Sequence, residues 1–436
     1  MIRRLDARSS GVDAVVRQLH RDPETVKPEV HRAVDTILAA VRERGDAAVL
    51  EYTARFDGYR CDASRLAITE AEWRAAESVD DETRAALAYA AARIERYHKE
   101  AAPRAWRMTD EHGSVLGQEV RPLDRVGIYI PGGRAAYPST VLMTAVPARV
   151  AGVREIALVT PPARDGSVSP AVLAAARIAG VTEAYRVGGA QAIAALAYGT
   201  ATIRRADKIV GPGNIFVALA KRKVFGLVGI DMVAGPSEVV VVADRSAAAS
   251  WVAADLLAQA EHDPMARSVL ITDAAPLIDA VAAAVDEQLA RLPRRDIARA
   301  SLTSNGALVL AQDLWQAVEI ANGLAPEHLE LQVSDPDRLL PAVRHAGAIF
   351  LGRYTPEVVG DYVAGPNHVL PTGGTARFSS PLGTEDFVTR SSVIGYSERG
   401  LAAALPAIRA LTRAEGLDAH AAAAEVRVPP KRGENG

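Results

Sequence analysis

Apolar residues recur along the first hundred positions with a helical period. Val26, Val30, Val34, Ile37, Leu38 and Val41 stand three or four apart, which places them on one face of an amphipathic helix. Thr69 followed by Glu72 predicts a capping box at the start of another helix, and residues 24–100 as a whole read as helical. From about residue 125 the texture changes. Short β-rich runs alternate with alanine-rich helical stretches, at Val126–Ile130, Glu155–Thr160, Ala184–Val187 and Lys208–Val210, then at Val239–Ala243, Val269–Thr272, Ala307–Leu310 and Ala348–Leu351. That alternation is the mark of βαβ units, a mostly parallel sheet with helices on its faces. The runs are too many for one small sheet, so two α/β domains are expected. After residue 395 the pattern is helical again, and Pro429–Gly436 reads as a disordered tail.

Composition narrows the class. A chain of 436 residues fits two to four domains at roughly 100–200 residues each. Forty-nine per cent of residues are apolar and 24% charged, enough to bury a large core in a soluble protein. The net charge is −3, and although 44 of the 50 basic residues are arginine, they are interleaved with acids and form no stripe. A nucleic-acid binder is therefore not expected. The single cysteine, Cys61, allows no intrachain disulfide. Neither a signal-peptide core in Met1–His20 nor an 18-residue apolar run is present, so a cytoplasmic protein without a membrane span is expected.

Three glycine turns directly follow predicted strands, at Pro131–Gly133, Gly188–Ala190 and Gly211–Asn214. In an open α/β sheet ligands bind beyond the carboxyl ends of the strands, where glycine lets backbone approach them and a following helix favours anions. Any one of these is an ordinary tight turn. Three in one half of the chain make a ligand cradle an equally good reading. Neither G-x-G-x-x-G nor G-x-x-x-x-G-K-[ST] occurs, so a cofactor site here is built differently.

Of the nine histidines, His20, His31, His98 and His112 fall in polar contexts and read as solvated, and His345 as structural. His262 ends Gln259–Ala260–Glu261–His262, on a helix expected to begin around Ser246 as N-cap. Gln259 and His262 are three apart and share a face, which would suit a metal, though glutamine is an uncommon ligand. Pro326–Glu327–His328 precedes the strand-like Leu329–Val333, where an acid and an imidazole side by side could transfer protons or simply line a strand edge. Gly360–Asp361–Tyr362 and Gly365–Pro366–Asn367–His368 lie in the kind of long polar loop that is disproportionately functional. His420, five residues after Glu415, taken alone is a solvated helix histidine. Cys61, between Arg60 and Asp62, has no base nearby in sequence, so thiol catalysis is not expected.

Together these segments resemble one family, histidinol dehydrogenase. The resemblance rests on Val126–Arg134 with Tyr137–Thr140, Val187–Ile193, Lys208–Asn214 and Asp231–Glu238. It continues in Ala258–His262, Ala325–Glu330, Gly360–His368 and Glu415–His420. It runs in order over about 20–425, with no departure at a motif position. It implies a zinc- and NAD-dependent oxidation of L-histidinol to L-histidine in two steps through bound L-histidinal, the last reaction of histidine biosynthesis. The implied zinc ligands, one ion per subunit, are Gln259, His262, Asp361 and His420. The implied base is His328, and Glu327 activates water. Substrate contacts fall on Ser237, His328, His368 and Glu415 besides the zinc ligands, and NAD contacts on Tyr129, Gln191 and Asn214. The implied fold has two Rossmann-like α/β domains, as in aldehyde dehydrogenases, with small helical terminal segments. Expected boundaries are 1–24, 25–127 plus 237–380 for zinc and substrate, 128–236 for NAD, and 381–436. A homodimer is implied in which 381–436 carries Glu415 and His420 to the partner's site.

The residue types suit that chemistry. Zinc stabilises a developing alkoxide much as it lowers the pKa of bound water to about 7, and a neutral histidine accepts a proton near physiological pH. With no plausible thiol, addition of water activated by Glu327 is the simpler route from aldehyde to acid. Three competing readings stand beside this one. The motifs could serve another small polar primary alcohol. Gln259, His262, Asp361, His420 and Glu327 could form a zinc hydrolase. A non-catalytic binding module is the third.

Overall fold

The computed structural model describes residues 2–20, 27–132, 136–233 and 235–428. Val26, Gly133, Arg134 and the tail Pro429–Gly436, all used in the sequence reading, lie outside them. In chain order the strands are β1 (Arg3–Asp6), β2 (Trp106–Thr109), β3 (Val115–Pro122), β4 (Arg125–Tyr129), β5 (Glu155–Thr160), β6 (Glu183–Arg186), β7 (Lys208–Val210) and β8 (Gly229–Ile230). They continue as β9 (Glu238–Ala243), β10 (Arg267–Thr272), β11 (Ala307–Leu310), β12 (His328–Gln332), β13 (Ala348–Leu351) and β14 (Val388–Gly395).

The chain forms two compact units. The larger, 1–101 with 123–387, holds two parallel sheets. One has the order β6-β5-β4-β7-β8 and the other β1-β11-β10-β9-β12-β13. Their central strands are wholly buried runs such as Glu238–Ala243 and Arg267–Thr272, which only a sheet covered on both faces can accommodate. The architecture is therefore α/β with two sheets, as the alternating pattern implied.

The helical stretch 28–100 was expected to accompany the sheet of 237–380. Instead its stripe Val34, Ile37, Leu38 and Val41 packs with Tyr129, Ala157 and Ile193, and Leu87, Ala91 and Ile94 pack with Val126 and Met143. These helices cover the five-stranded sheet, because an apolar stripe specifies a buried face but not its partner. The Thr69–Glu72 capping box is present, with both reciprocal bonds made. The N-terminal segment is not purely helical, since Arg3–Asp6 pairs in parallel with Ala307–Leu310.

The smaller unit, 102–122 with 388–436, is an antiparallel sheet of order β14-β3-β2 followed by helices Glu398–Glu415 and Asp418–Glu425. Ser397 caps the first of these by accepting from the Gly400 N–H. No helix among the described residues is long and apolar enough to cross a membrane.

Candidate active site

The acid–base groups gather at the amino-terminal edge of the six-stranded sheet. β9 and β12 are parallel neighbours, with His328 level with Val239, so the residues that open the two strands meet. The Glu238 peptide joins them. Its N–H donates to Glu327 Oε2 at 3.0 Å, and its carbonyl accepts from His328 Nδ1 at 3.1 Å. Glu238 is itself fixed by an ion pair with buried Arg267 and by the Gly373 N–H, 3.1 Å from its Oε1. Because a carbonyl only accepts, Nδ1 of His328 carries the proton and Nε2 keeps its lone pair. That Nε2 is buried with no hydrogen-bond partner among the described residues, and Asp361 Oδ1 lies 3.9 Å away.

Burial sets the charges. It pushes His328 down to about 3, helped by His262 and His368 nearby, so the imidazole stays neutral and able to accept a proton. Glu327 is raised well above the usual carboxylate range, first by burial and then by Glu238 and Asp361, against bonds from the Glu238 N–H and the Ser237 side chain. Asp361, on helix Glu357–Tyr362, is pushed up to about 6 by burial. His368 is held by its Nδ1 donating to the Asp361 carbonyl at 2.9 Å and is lowered by burial to about 4. Ser237, His262, Glu327, His328, Asp361 and His368 thus share one neighbourhood.

Gln259 is in the last turn of helix Ala249–Ala260 and wholly buried, and neither amide atom has a hydrogen-bond partner among the described residues. Buried polar groups are nearly always bonded, so the chemistry of this orphaned amide is that of a group a metal ion would satisfy. The helix starts at Ala249 rather than near Ser246, whose hydroxyl and N–H both bond to Asp244. It ends before His262, which is exposed in the following turn. Gln259 and His262 therefore occupy a helix end, not one continuous helical face. Glu415 and His420 belong to the smaller unit, one ending helix Glu398–Glu415 and the other in the next helix, both exposed.

Sequence reasoning missed Glu357. It is 2% exposed, its Oε1 lies 3.9 Å from His328 Nδ1, and burial followed by Asp361 and Glu330 raises it well above the usual range. With His328 and Asp361 it forms a group whose ligand atoms lie within 4.8 Å of one another, able to hold a metal. Its N–H bonds Glu330 Oε1 at 2.9 Å, and Gln332 bridges Glu330 and Asp255. In the sequence Glu357 follows Pro356 at a helix start, where an acid is unremarkable.

The glycine turns Gly188–Ala190 and Gly211–Asn214 follow β6 and β7 at the carboxyl edge of the other sheet, and Pro131–Gly133 lies partly outside the described residues. Tyr129 ends β4, and its hydroxyl accepts from the Gly189 N–H at 3.2 Å. Gln191, in the first turn of helix Gly189–Tyr198, is buried with both amide atoms unpartnered among the described residues. Asn214 is exposed and caps helix Ile215–Val224 through Oδ1, bonded by Phe216 and Val217 N–H groups at 3.0 and 3.2 Å. These three residues therefore stand at the carboxyl ends of β4, β6 and β7, the edge of a parallel sheet where ligands commonly bind.

Residues 20–428 match the family model described as histidinol dehydrogenase. A histidinol dehydrogenase of Geobacillus kaustophilus is 56% identical over 411 residues, 94% of this chain and 96% of that one. One from Neisseria meningitidis serogroup A is 53% identical over 429 residues, 98% and 100% of the two chains. The crystal structure of histidinol dehydrogenase from Elizabethkingia anophelis superposes with a TM-score of 0.93 at 35% identity, covering 98% of each chain.

Proposed function

This chain belongs to the histidinol dehydrogenase family of oxidoreductases, and from that premise we propose that it oxidises L-histidinol to L-histidine with two NAD+, completing histidine biosynthesis. The observation that carries the reading is the Glu238 peptide, which orients Glu327 and the tautomer of His328 at once. His328 Nε2 takes the alcohol proton in the first oxidation. Glu327, whose raised pKa makes its ionised form the stronger base, then takes a proton from the water that adds to the aldehyde. The aldehyde oxygen takes back the proton held by His328, and the freed His328 accepts the gem-diol proton in the second oxidation. Ser237 and His368 orient the substrate beside them.

Gln259, His262 and Asp361 would hold zinc, with His420 completing the set across a homodimer and Glu415 beside it on the substrate. When bound, zinc would anchor the substrate's amine and imidazole and offset negative charge on its oxygen, and NAD+ at Tyr129, Gln191 and Asn214 would accept both hydrides. The His328–Glu357–Asp361 group competes as a metal cradle, but metal there would consume the Nε2 lone pair that the chemistry needs. Gln259→Ala should therefore lower bound zinc more than Glu357→Gln does, read by elemental analysis.

The decisive experiment counts NADH formed per L-histidinol consumed, before and after chelation. Two NADH, lost on chelation and restored by zinc, are expected. One NADH with aldehyde released would remove Glu327 from its role. No NADH would favour hydrolytic zinc chemistry instead.

A further inference from the structure

Behind the Gly211 turn lies a charge pair that the chemistry above does not use. Lys221 projects from helix Ile215–Val224 and Asp231 follows β8 directly. They form an ion pair in which the two side chains are 3% and 1% exposed. The pair closes on a single residue. Lys221 Nζ donates to the Gly211 carbonyl at 2.8 Å, and Asp231 Oδ2 accepts from the Gly211 N–H at 2.7 Å. Gly211 has φ +110°, and a Cβ there would collide with the Tyr129 carbonyl oxygen. Three residues on, Asn214 caps the helix that carries Lys221.

A buried ion pair is a poor source of stability, because desolvating two charges cancels most of their attraction. Apolar residues of similar volume are often as good or better. What this pair does uniquely is hold both polar groups of one peptide residue in a left-handed conformation, at the point where the chain leaves β7 for the Pro212–Asn214 turn. Apolar side chains would fill the same space and leave the Gly211 N–H and carbonyl without those partners.

We propose that Lys221 and Asp231 are positioning residues that fix the Gly211 turn, and through it Asn214, in the geometry that receives NAD+. This rests on the reading of that turn as part of the dinucleotide site. The pair touches neither cofactor nor substrate, and it acts through the peptide it clamps.

The test uses the full-length protein with Lys221→Met, Asp231→Leu and the double variant. Each single change leaves one buried charge uncompensated and should lower the melting temperature. The double change removes both charges, and its melting temperature should recover most of the way to that of the parent, short by the cost of the unpartnered Gly211 groups. In the double variant, NADH affinity by fluorescence titration should fall about tenfold, the worth of one well-placed hydrogen bond. The KM for NAD+ should rise in step, while the KM for L-histidinol and kcat stay within about twofold. A double variant that melts like the parent and binds NADH like the parent overturns the proposal. So does one that melts far lower and loses cofactor and substrate affinity together, which would make the pair purely structural. A parent chain that binds no NADH overturns the cofactor reading itself, an outcome distinct from both.

Discussion

His98 puts the control of charge by burial to a quantitative test. It sits in the last turn of helix Asp81–Glu100, 1% exposed, and neither ring nitrogen has a hydrogen-bond partner among the described residues. Burial lowers its pKa from 6.5 to about 4. A base lowered in this way stays neutral in the fold while the unfolded chain's imidazole takes up a proton. Its contribution is therefore complete above about pH 6.5 and is lost as pH falls toward 4. The gap between those values, at roughly 1.4 kcal/mol per pH unit, caps the loss at about 3 kcal/mol, most of it realised by pH 4.5. His98→Leu removes the titration and two unsatisfied nitrogens. At pH 7.5 the variant should equal or slightly exceed the parent. By pH 4.5 its advantage should grow by about 2–3 kcal/mol, or about 3 °C in melting temperature for a chain of this length. Thermal unfolding of both proteins across pH 4.5–7.5 reads this directly. The raised carboxyls, such as Glu330 at about 8, move both curves alike and cancel in the difference. Melting curves that stay parallel down to pH 4.5 would refute the reasoning.

Two further outcomes are expected. His328→Asn should slow histidinol and histidinal oxidation alike, by about 10²- to 10⁴-fold, the usual worth of a positioned base. Glu327→Gln should slow histidinal oxidation by that order and histidinol oxidation by less than about tenfold, and equal losses measured with each substrate supplied separately would count against the division of roles. Cys61 packs against the core of the five-stranded sheet, and burial pushes its thiol up, away from the thiolate form. Cys61→Ser should accordingly keep kcat within about twofold, and an inactive but folded variant would restore the thiol route.

Much of this molecule was legible because it is written in local pattern. The strand runs Glu155–Thr160, Lys208–Val210, Ala307–Leu310 and Ala348–Leu351 have the expected bounds, since buried parallel strands are short apolar runs between turn residues. Long-range pairing was not legible. β2, β3 and β14 alternate weakly and are partly exposed, and β14 lies more than 250 residues from its partner β3, so nothing local announces the antiparallel sheet. His98 misled for a related reason, because the polar residues around it in sequence lie on other faces of its helix. Glu327 and His328 stood out by type, and the quoted motifs singled out Gln259 and Asp361. Glu357 did not stand out, because its burial depends on helix Glu357–Tyr362 folding back over β12. The strand edge was also invisible. The carboxyl-edge rule fits the glycine turns of one sheet, while Glu327 and His328 lie at the amino edge of the other.

The segment 361–373 is fastened to both sheets of the larger unit. On one side Arg93 Nε donates to the Val363 carbonyl at 2.5 Å, and Asn367 Nδ2 donates to the Met143 carbonyl at 2.6 Å. Gly365, at φ +114°, passes so close to the Arg93 carbonyl and Tyr97 that no side chain fits. These partners belong to helices packed on the five-stranded sheet. On the other side Thr372 Oγ1 accepts from the Gly235 N–H at 2.6 Å, and the Gly373 N–H reaches Glu238 Oε1, while within the segment the Asp361 carbonyl holds His368. Glu238 is the residue whose peptide orients Glu327 and His328, so the segment's far end is tied to that buried acid–imidazole pair. A hydrogen bond contributes only about 1 kcal/mol to stability, so these contacts matter less for holding the fold than for removing freedom at both ends of one short segment. Misplacement by about 1 Å can cost a reaction about a hundredfold, so a loop fastened to both sheets is where precision is needed. His368 and Asp361 ride on that loop, and their position relative to His328 is therefore set jointly by the two halves of the larger unit.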